Sequence, residues 1–297
     1  MKTVRWIFRG PDGIRAGWSI LLFIAILAVP IATLHVVGTH FHLKPDGDLG
    51  LGFVYAEELV TVAMVLAATA IMGWIEKRSV WTYGLAGRRN LALLASGWLA
   101  GFLCLSALIL VLDAGGYLAF DGVALHGLAI AGYGLLWLGA FFLAGLSEEM
   151  MYRGYLQATL ARGIGFWPAA FLLSTLFAAA HLQNGGETAW GIASVLASGL
   201  ILCLLLRTSG SLWLGIGFHG AWDWAESFLY GTPDSGLMVK GHLLISHALG
   251  NPGMSGGSAG PEGSALAGPM LLVGLVVLIV VGRRAGLFAH RHVAPSP

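Results

Sequence analysis

Apolar residues run along this chain in blocks of about the length that crosses hydrocarbon, roughly 20 residues for a helix. Eight such blocks fall near residues 14–37, 52–75, 91–113, 125–151, 167–184, 189–206, 211–230 and 268–288. They predict an all-α fold: a polytopic membrane helix bundle with about eight transmembrane helices, forming a single membrane domain over residues 1–297. The first block is too long for the 7–15-residue apolar core of a signal peptide and reads as a retained anchor. The fourth continues through Tyr155 to about Arg162, which makes one helix longer than a bilayer requires. Trp167 and Pro168 suit the interfacial start of the next. The connection over 231–267 is rich in Gly, Ser and Pro. It predicts a mobile loop or an irregular cap folded back where protein or water covers its backbone.

Composition sharpens the class. The chain is 57% hydrophobic and 10% charged, against about 25% charged in soluble domains, which leaves no room for a separate soluble domain. The net charge of +1 says nothing about nucleic acid, but the chain has no basic cluster of the kind a DNA binder needs, so no nucleic-acid partner is expected. Cys104 and Cys203 lie in apolar blocks and read as small core residues. Basic residues concentrate at Lys2, Arg5, Arg9 and Arg15, then at Lys77, Arg78, Arg88, Arg89, Arg162, Arg207, Arg283, Arg284 and Arg291. The opposite connections hold Lys44 and Lys240. This asymmetry follows the positive-inside rule, places both termini in the cytoplasm and requires an even number of spans.

Against this background the polar residues inside the blocks carry the information. Ser147–Gly154 reads Ser-Glu-Glu-Met-Met-Tyr-Arg-Gly, and each charged side chain at a helix centre costs about 2.5–3.5 kcal/mol on insertion scales. Glu149 and Arg153 are four apart and share a helix face, where pairing makes burial tolerable. Glu148 points about 100° away and remains free; burial would raise a carboxyl toward the range of a general base. Phe177 and His181, and then His219 and Asp223, are again four apart. Counted along the helices, Glu148 and His181 both stand roughly 20 Å from the 163–167 turn, and His219 and Asp223 roughly 12–18 Å from Ser211. Similar depths allow all four to meet in one polar pocket. Glu57 and Glu58 fall in the first turns of span two and read as interfacial. His242 and His247 have no metal-ligand spacing and read as solvated loop residues.

Glu148-Glu149-x-x-x-Arg153, Phe177-x-x-x-His181 and His219-x-x-x-Asp223 together resemble the three-motif pattern of the CPBP family. These are the CAAX-processing and bacteriocin-processing intramembrane endopeptidases, also called the Abi family. The resemblance covers about residues 125–230, which would form the catalytic core. It implies a glutamic-type intramembrane endopeptidase, without a metal, in an integral membrane protein of a bacterial inner membrane. By that resemblance Glu148 would activate a water with help from His181. His219 and Asp223 would stabilise the oxyanion, and Glu149, Arg153 and Phe177 would support the site. No acyl-enzyme would form. The expected partners are the lipid bilayer and a membrane-associated peptide or protein substrate; a prenylated substrate is not expected in bacteria. The family commonly has Asn where this chain has Asp223. An ionised Asp cannot donate to an oxyanion, so Asp223 reads better as an orienter of His219. Rival readings are a zinc-dependent membrane metallopeptidase on the same carboxylates and histidines, disfavoured because no His-Glu-x-x-His helix is present; a membrane transporter, disfavoured by the lack of an inverted repeat; and a non-catalytic binding protein, disfavoured by the intact Glu148, His181 and His219.

Overall fold

The computed structural model describes residues 8–10, 13–40 and 47–288; Lys2, Arg5, Lys44 and Arg291, which enter the charge asymmetry, lie outside them. A two-stranded ribbon, β1 (Arg9–Gly10) and β2 (Gly13–Ile14), leads into α1 (Ala16–His40). Then come α2 (Leu51–Glu76), α3 (Asn90–Ala114), β3 (Leu118–Val123) and α4 (Leu128–Glu149). A π-helical stretch (Met150–Leu156) joins α4 to α5 (Gln157–Ile164). After α6 (Phe166–His181) and α7 (Ala189–Ser209), α8 (Trp213–Asp223) runs into a second π-helical stretch (Trp224–Leu229). Last are β4 (Leu244–Ala248), the one-turn α9 (Pro252–Ser255) and α10 (Ala267–Arg284).

The molecule is a mostly helical membrane bundle. Each of the eight apolar blocks holds a helix. Among the described residues six have the length and hydropathy of a span: α1, α2, α3, the continuous α4–α5 unit of 37 residues, α7 and α10. α6 is shorter though apolar, and α8 reaches the length of its block only together with its π-helical stretch. The outward faces are apolar, as lipid contact requires. Val29 and Leu34 on α1, and Val273 and Val277 on α10, are exposed.

One feature departs from the sequence reading, and a second realises one of its two alternatives. The long fourth helix is interrupted at Met150–Leu156, where hydrogen bonding widens to the π pattern and Gly154 leaves helical geometry (φ −78°, ψ −110°). Hydropathy does not register such a shift, because composition is unchanged across it. The 231–267 connection is a folded-back cap. Its β4 pairs antiparallel with β3, from Leu118 opposite Ala248 to Val123 opposite Leu244, with a register shift at Phe120/Gly122. Leu49 also bridges Val239. Both strands of this ribbon lie outside the apolar blocks, which is why a purely helical fold was expected.

α8 is enclosed nearly all round: Leu214, Ile216, Phe218, Ala221 and Trp222 are buried. Small residues make that possible by letting backbones touch, the usual device of packed membrane helices. A Cβ on Gly97 of α3 would stand 2.1 Å from the Leu214 carbonyl oxygen, and one on Gly101 2.1 Å from that of Phe218. Reciprocally, a Cβ on Gly217 would stand 2.2 Å from the Leu94 carbonyl oxygen. On the other side, Gly145 of α4 approaches the backbone of Gly220 and Ile216. The residue after Phe218 is His219, so these contacts set its position.

Gly101→Ala should therefore force α3 and α8 apart and destabilise the bundle by about 1–3 kcal/mol or more, the usual cost of overpacking. Gly132→Ala on the open face of α4, where nothing lies within 4 Å, should be neutral or slightly stabilising. Thermal unfolding of the two variants in detergent checks the difference; equal midpoints would remove the close-packing account.

Candidate active site

The site grows from the ion pair of the first motif. Arg153 Nη1 donates to Glu149 Oε1 at 3.0 Å, with both side chains 1% exposed. The guanidinium lies over the ring of Phe177, with Cζ 4.4 Å from its centroid. Gly199 on α7 keeps this space open, since a Cβ there would meet Ser174 Cβ at 2.9 Å and Arg153 Nη2 at 3.1 Å. Phe177 also presents its ring edge-on to His181, centroids 4.7 Å apart, and to His219 at 6.1 Å. One aromatic ring thus separates and orients the cation and both imidazoles.

His219 is held among three carboxylates. Its Nδ1 is 3.3 Å from Glu149 Oε1, and its Nε2 is 3.5 Å from Glu148 Oε2 and 3.6 Å from Asp223 Oδ2. The Glu148 contact is electrostatic: Glu148 Oε2 is shielded from solvent yet accepts no hydrogen bond. His181 is tied differently, with Nδ1 2.9 Å from the carbonyl oxygen of Phe177. A carbonyl only accepts, so Nδ1 carries the hydrogen and Nε2 is left for the cavity.

Glu148, His181, His219 and Asp223 line one cavity of about 320 Å³, a volume within the range of ligand sites. The matching depths counted along the helices are thus realised as a shared space. His181 is anchored by Phe177 rather than by Glu148. Glu149 and Arg153 lie behind the cavity wall, and Phe177 is part of that wall.

Sequence reasoning missed several residues. Glu57 and Glu58 of α2, read as interfacial, both line the cavity. Glu58 Oε2 accepts a 2.7 Å hydrogen bond from Ser147 Oγ, which joins α2 to the first motif. Asp234 and Glu262 line the same cavity, and with the buried Glu226 they form a second acidic group. Burial pushes the Asp234 carboxyl up to about 6. It also pushes Glu262 up to about 8, with the charge of Asp234 adding to the effect. Glu226 continues the His219/Asp223 stripe at helical spacing, a signal available in the sequence; the other two lie in the Gly-rich connection, where no periodicity points to them. Among the described residues these three acids are the group whose ligand atoms converge as a metal site would, within 4.8 Å of one another. His247 pairs with Asp121 on the exposed face of the β3–β4 ribbon, and His242 caps the carbonyl of Val239.

Fold and site together define a polytopic helical membrane protein with a carboxylate–imidazole cavity inside its bundle. Residues 130–225 match the family model described as type II CAAX prenyl endopeptidase Rce1-like. The matched segment contains all three motifs and is consistent with a member of the CPBP family. No curated protein and no solved structure matches the chain. The family is one of membrane proteases, so the likeness supports a peptidase.

Removing one partner of a buried pair strands the other charge, at about 3–5 kcal/mol. Glu149→Gln and Arg153→Met should each destabilise by that order, and the double variant by less than the sum of the two. A double-mutant cycle on unfolding in detergent checks this; strict additivity would mean that the pair does not hold the site.

Proposed function

We propose that the protein is an intramembrane endopeptidase of glutamic type that hydrolyses a peptide bond of a membrane-associated peptide or protein. The observation that carries this reading is Glu148 Oε2: a buried, unbonded carboxylate oxygen at a cavity also lined by two imidazoles. His181, whose Nε2 is left for the same cavity, is the second group that would contact a water held there. Glu148 takes a proton from the water as its oxygen attacks the scissile carbonyl, and later delivers that proton to the leaving amine. The electron pair of the carbonyl moves onto its oxygen, where His219 Nε2–H donates. Only the doubly protonated imidazole can donate on both sides, toward Glu149 from Nδ1 and toward the cavity from Nε2. No covalent intermediate with the chain is needed.

The contacts favour a revised division of labour around His219. Asp223 was read as its orienter, but the shorter contact on the opposite nitrogen belongs to Glu149, at 3.3 Å against 3.6 Å. Glu149 is the positioning residue in this scheme, itself fixed by Arg153. Asp223 Oδ2 stands 3.6 Å from the Nε2 that faces the cavity and helps hold it there from the same helix.

Glu148→Gln should lower cleavage of a membrane-peptide library by at least about 10²–10⁴-fold, the scale of general base catalysis, without changing the unfolding midpoint. His219→Ala should do the same by removing an oxyanion donor, worth about 3–4 kcal/mol of barrier. Product mapping by mass spectrometry reads both, and a chelator arm tests the zinc alternative. Cleavage by Glu148→Gln at the rate of the parent chain would sink the mechanism.

A further inference from the structure

Glu226, Asp234 and Glu262 come from three separate pieces of chain. Glu226 lies in the π-helical stretch three residues past Asp223, Asp234 in the first turn of the cap, and Glu262 in a 3₁₀ turn (Pro261–Gly263) near its far end. Their ligand oxygens all lie within 4.8 Å of one another. Glu226 is fully buried, and its Oε2 has no hydrogen-bond partner. Its Oε1 accepts only a long 3.4 Å bond from the Glu262 backbone N–H. The other two carboxylates are partly satisfied by hydroxyls: Ser227 Oγ donates to Asp234 at 3.3 Å, and Ser235 Oγ donates to Glu262. Among the described residues no Lys or Arg forms an ion pair with any of the three. The backbone is shaped around the group as well. Gly260, at φ +98°, leaves space where a Cβ would stand 1.9 Å from the Pro233 carbonyl oxygen and 3.3 Å from Glu226 Oε1.

We infer that these three carboxylates form a binding site for a hard divalent cation, of the calcium type, that fastens the 231–267 cap to the end of α8. Three converging carboxylates without a cationic side chain repel one another once ionised, and a divalent ion reverses the sign of that interaction. The donor set is oxygen only, which suits Ca²⁺, Mg²⁺ or Mn²⁺ rather than zinc, whose sites favour nitrogen and sulfur. The larger ion is favoured by the irregular backbone of the cap: Ca²⁺ accepts flexible all-protein oxygen cages, whereas Mg²⁺ demands near-ideal octahedral geometry and keeps several waters. The asymmetry of basic residues puts this face outside the cytoplasm, where modules with dissociation constants of about 10⁻⁴–10⁻³ M are filled. Because the cap covers the cavity that holds His219, the ion would set how firmly that cavity is closed. The inference does not depend on what the cavity cleaves.

The test uses the full chain in detergent, stripped with chelator and titrated with calcium chloride, then with magnesium and zinc salts. Thermal midpoint and limited proteolysis of the cap are read together. Calcium should raise the midpoint saturably, with half-effect near 10⁻⁴–10⁻³ M, and protect the cap from cleavage. Glu226→Gln and Glu262→Gln should weaken that response at least tenfold. In chelator both should melt at or above the temperature of the parent chain, because each relieves repulsion. Asp121→Asn, an exposed acid of the β3–β4 ribbon, should respond to calcium as the parent does. Should either variant fail to fold, calcium binding to the parent chain by isothermal titration decides alone. A parent midpoint indifferent to calcium, or an undiminished response in both Gln variants, would overturn the site. An equal response to magnesium or zinc would overturn the assignment to calcium.

Discussion

The polar contacts around His219 hang from one buried ion pair. Glu149 and Arg153 sit four residues apart with almost no exposed surface, in a medium where an unpaired charge is costly. The pair cancels its own charge, but it also leaves work for its neighbours. The guanidinium is too large to be satisfied by one carboxylate, and its Nε and Nη2 have no hydrogen-bond partner. Phe177 covers it instead with a π face, an electrostatically favourable contact for a desolvated cation. That ring then fixes the approach of both imidazoles. Glu149, already committed to Arg153, has one further contact to give, and it reaches His219. Ion pair, aromatic ring and imidazole thus form a chain of dependence in which each member is held by the one before it.

Such a chain works only if the helices come close enough. Four atoms of reach separate a helix backbone from an imidazole nitrogen, and side-chain contacts of 3.3–3.6 Å around His219 leave little slack. Glycine supplies the tolerance. Gly97 and Gly101 on α3, Gly145 on α4, and Gly217 and Gly220 on α8 let three backbones meet without side chains between them. The consequence is a helix, α8, whose position is set by backbone contact instead of by interdigitated side chains, and whose one imidazole is delivered at fixed depth. Packing and polar geometry are here the same constraint described from two sides.

What could be read from the chain alone follows the same division. The helices were legible because hydrocarbon demands long apolar runs, and the boundaries of α2, α3 and α7 fall within a few residues of their blocks. The pairing of Glu149 with Arg153 and the separate direction of Glu148 were legible because helical spacing fixes them. Illegible were features that composition does not encode. The π turns at Met150–Leu156 and Trp224–Leu229 change hydrogen-bond register without changing hydropathy. Glu58 looked interfacial from its position in the first turns of α2; only the packing of α2 on α4 brings it to Ser147. Asp234 and Glu262 sit in a stretch of Gly, Ser and Pro where strand pairing with a distant segment, β3, decides the path of the chain.

The two ends of the bundle treat buried acids in opposite ways, and the contrast locates the chemistry. At the end away from the cavity, Glu76 accepts from Ser19, Tyr155, Tyr83 and Arg162, while Tyr155 stacks on Phe23 and meets Tyr83 edge-on. That carboxylate is saturated; it ties α1, α2 and the π-helical segment before α5 together and offers nothing to a ligand. At the cavity end, Glu148 and Glu226 each keep a buried oxygen without a partner. The same continuous helix, α4 through α5, carries Glu148 at one end of this gradient and Tyr155 and Arg162 at the other. A chain able to surround one acid with four donors had the means to do so for the others. Leaving them unsatisfied has a folding cost, because buried polar atoms normally find partners. On the two proposals made above, an atom supplied from outside the chain completes the bond: water and substrate at Glu148, a cation at Glu226.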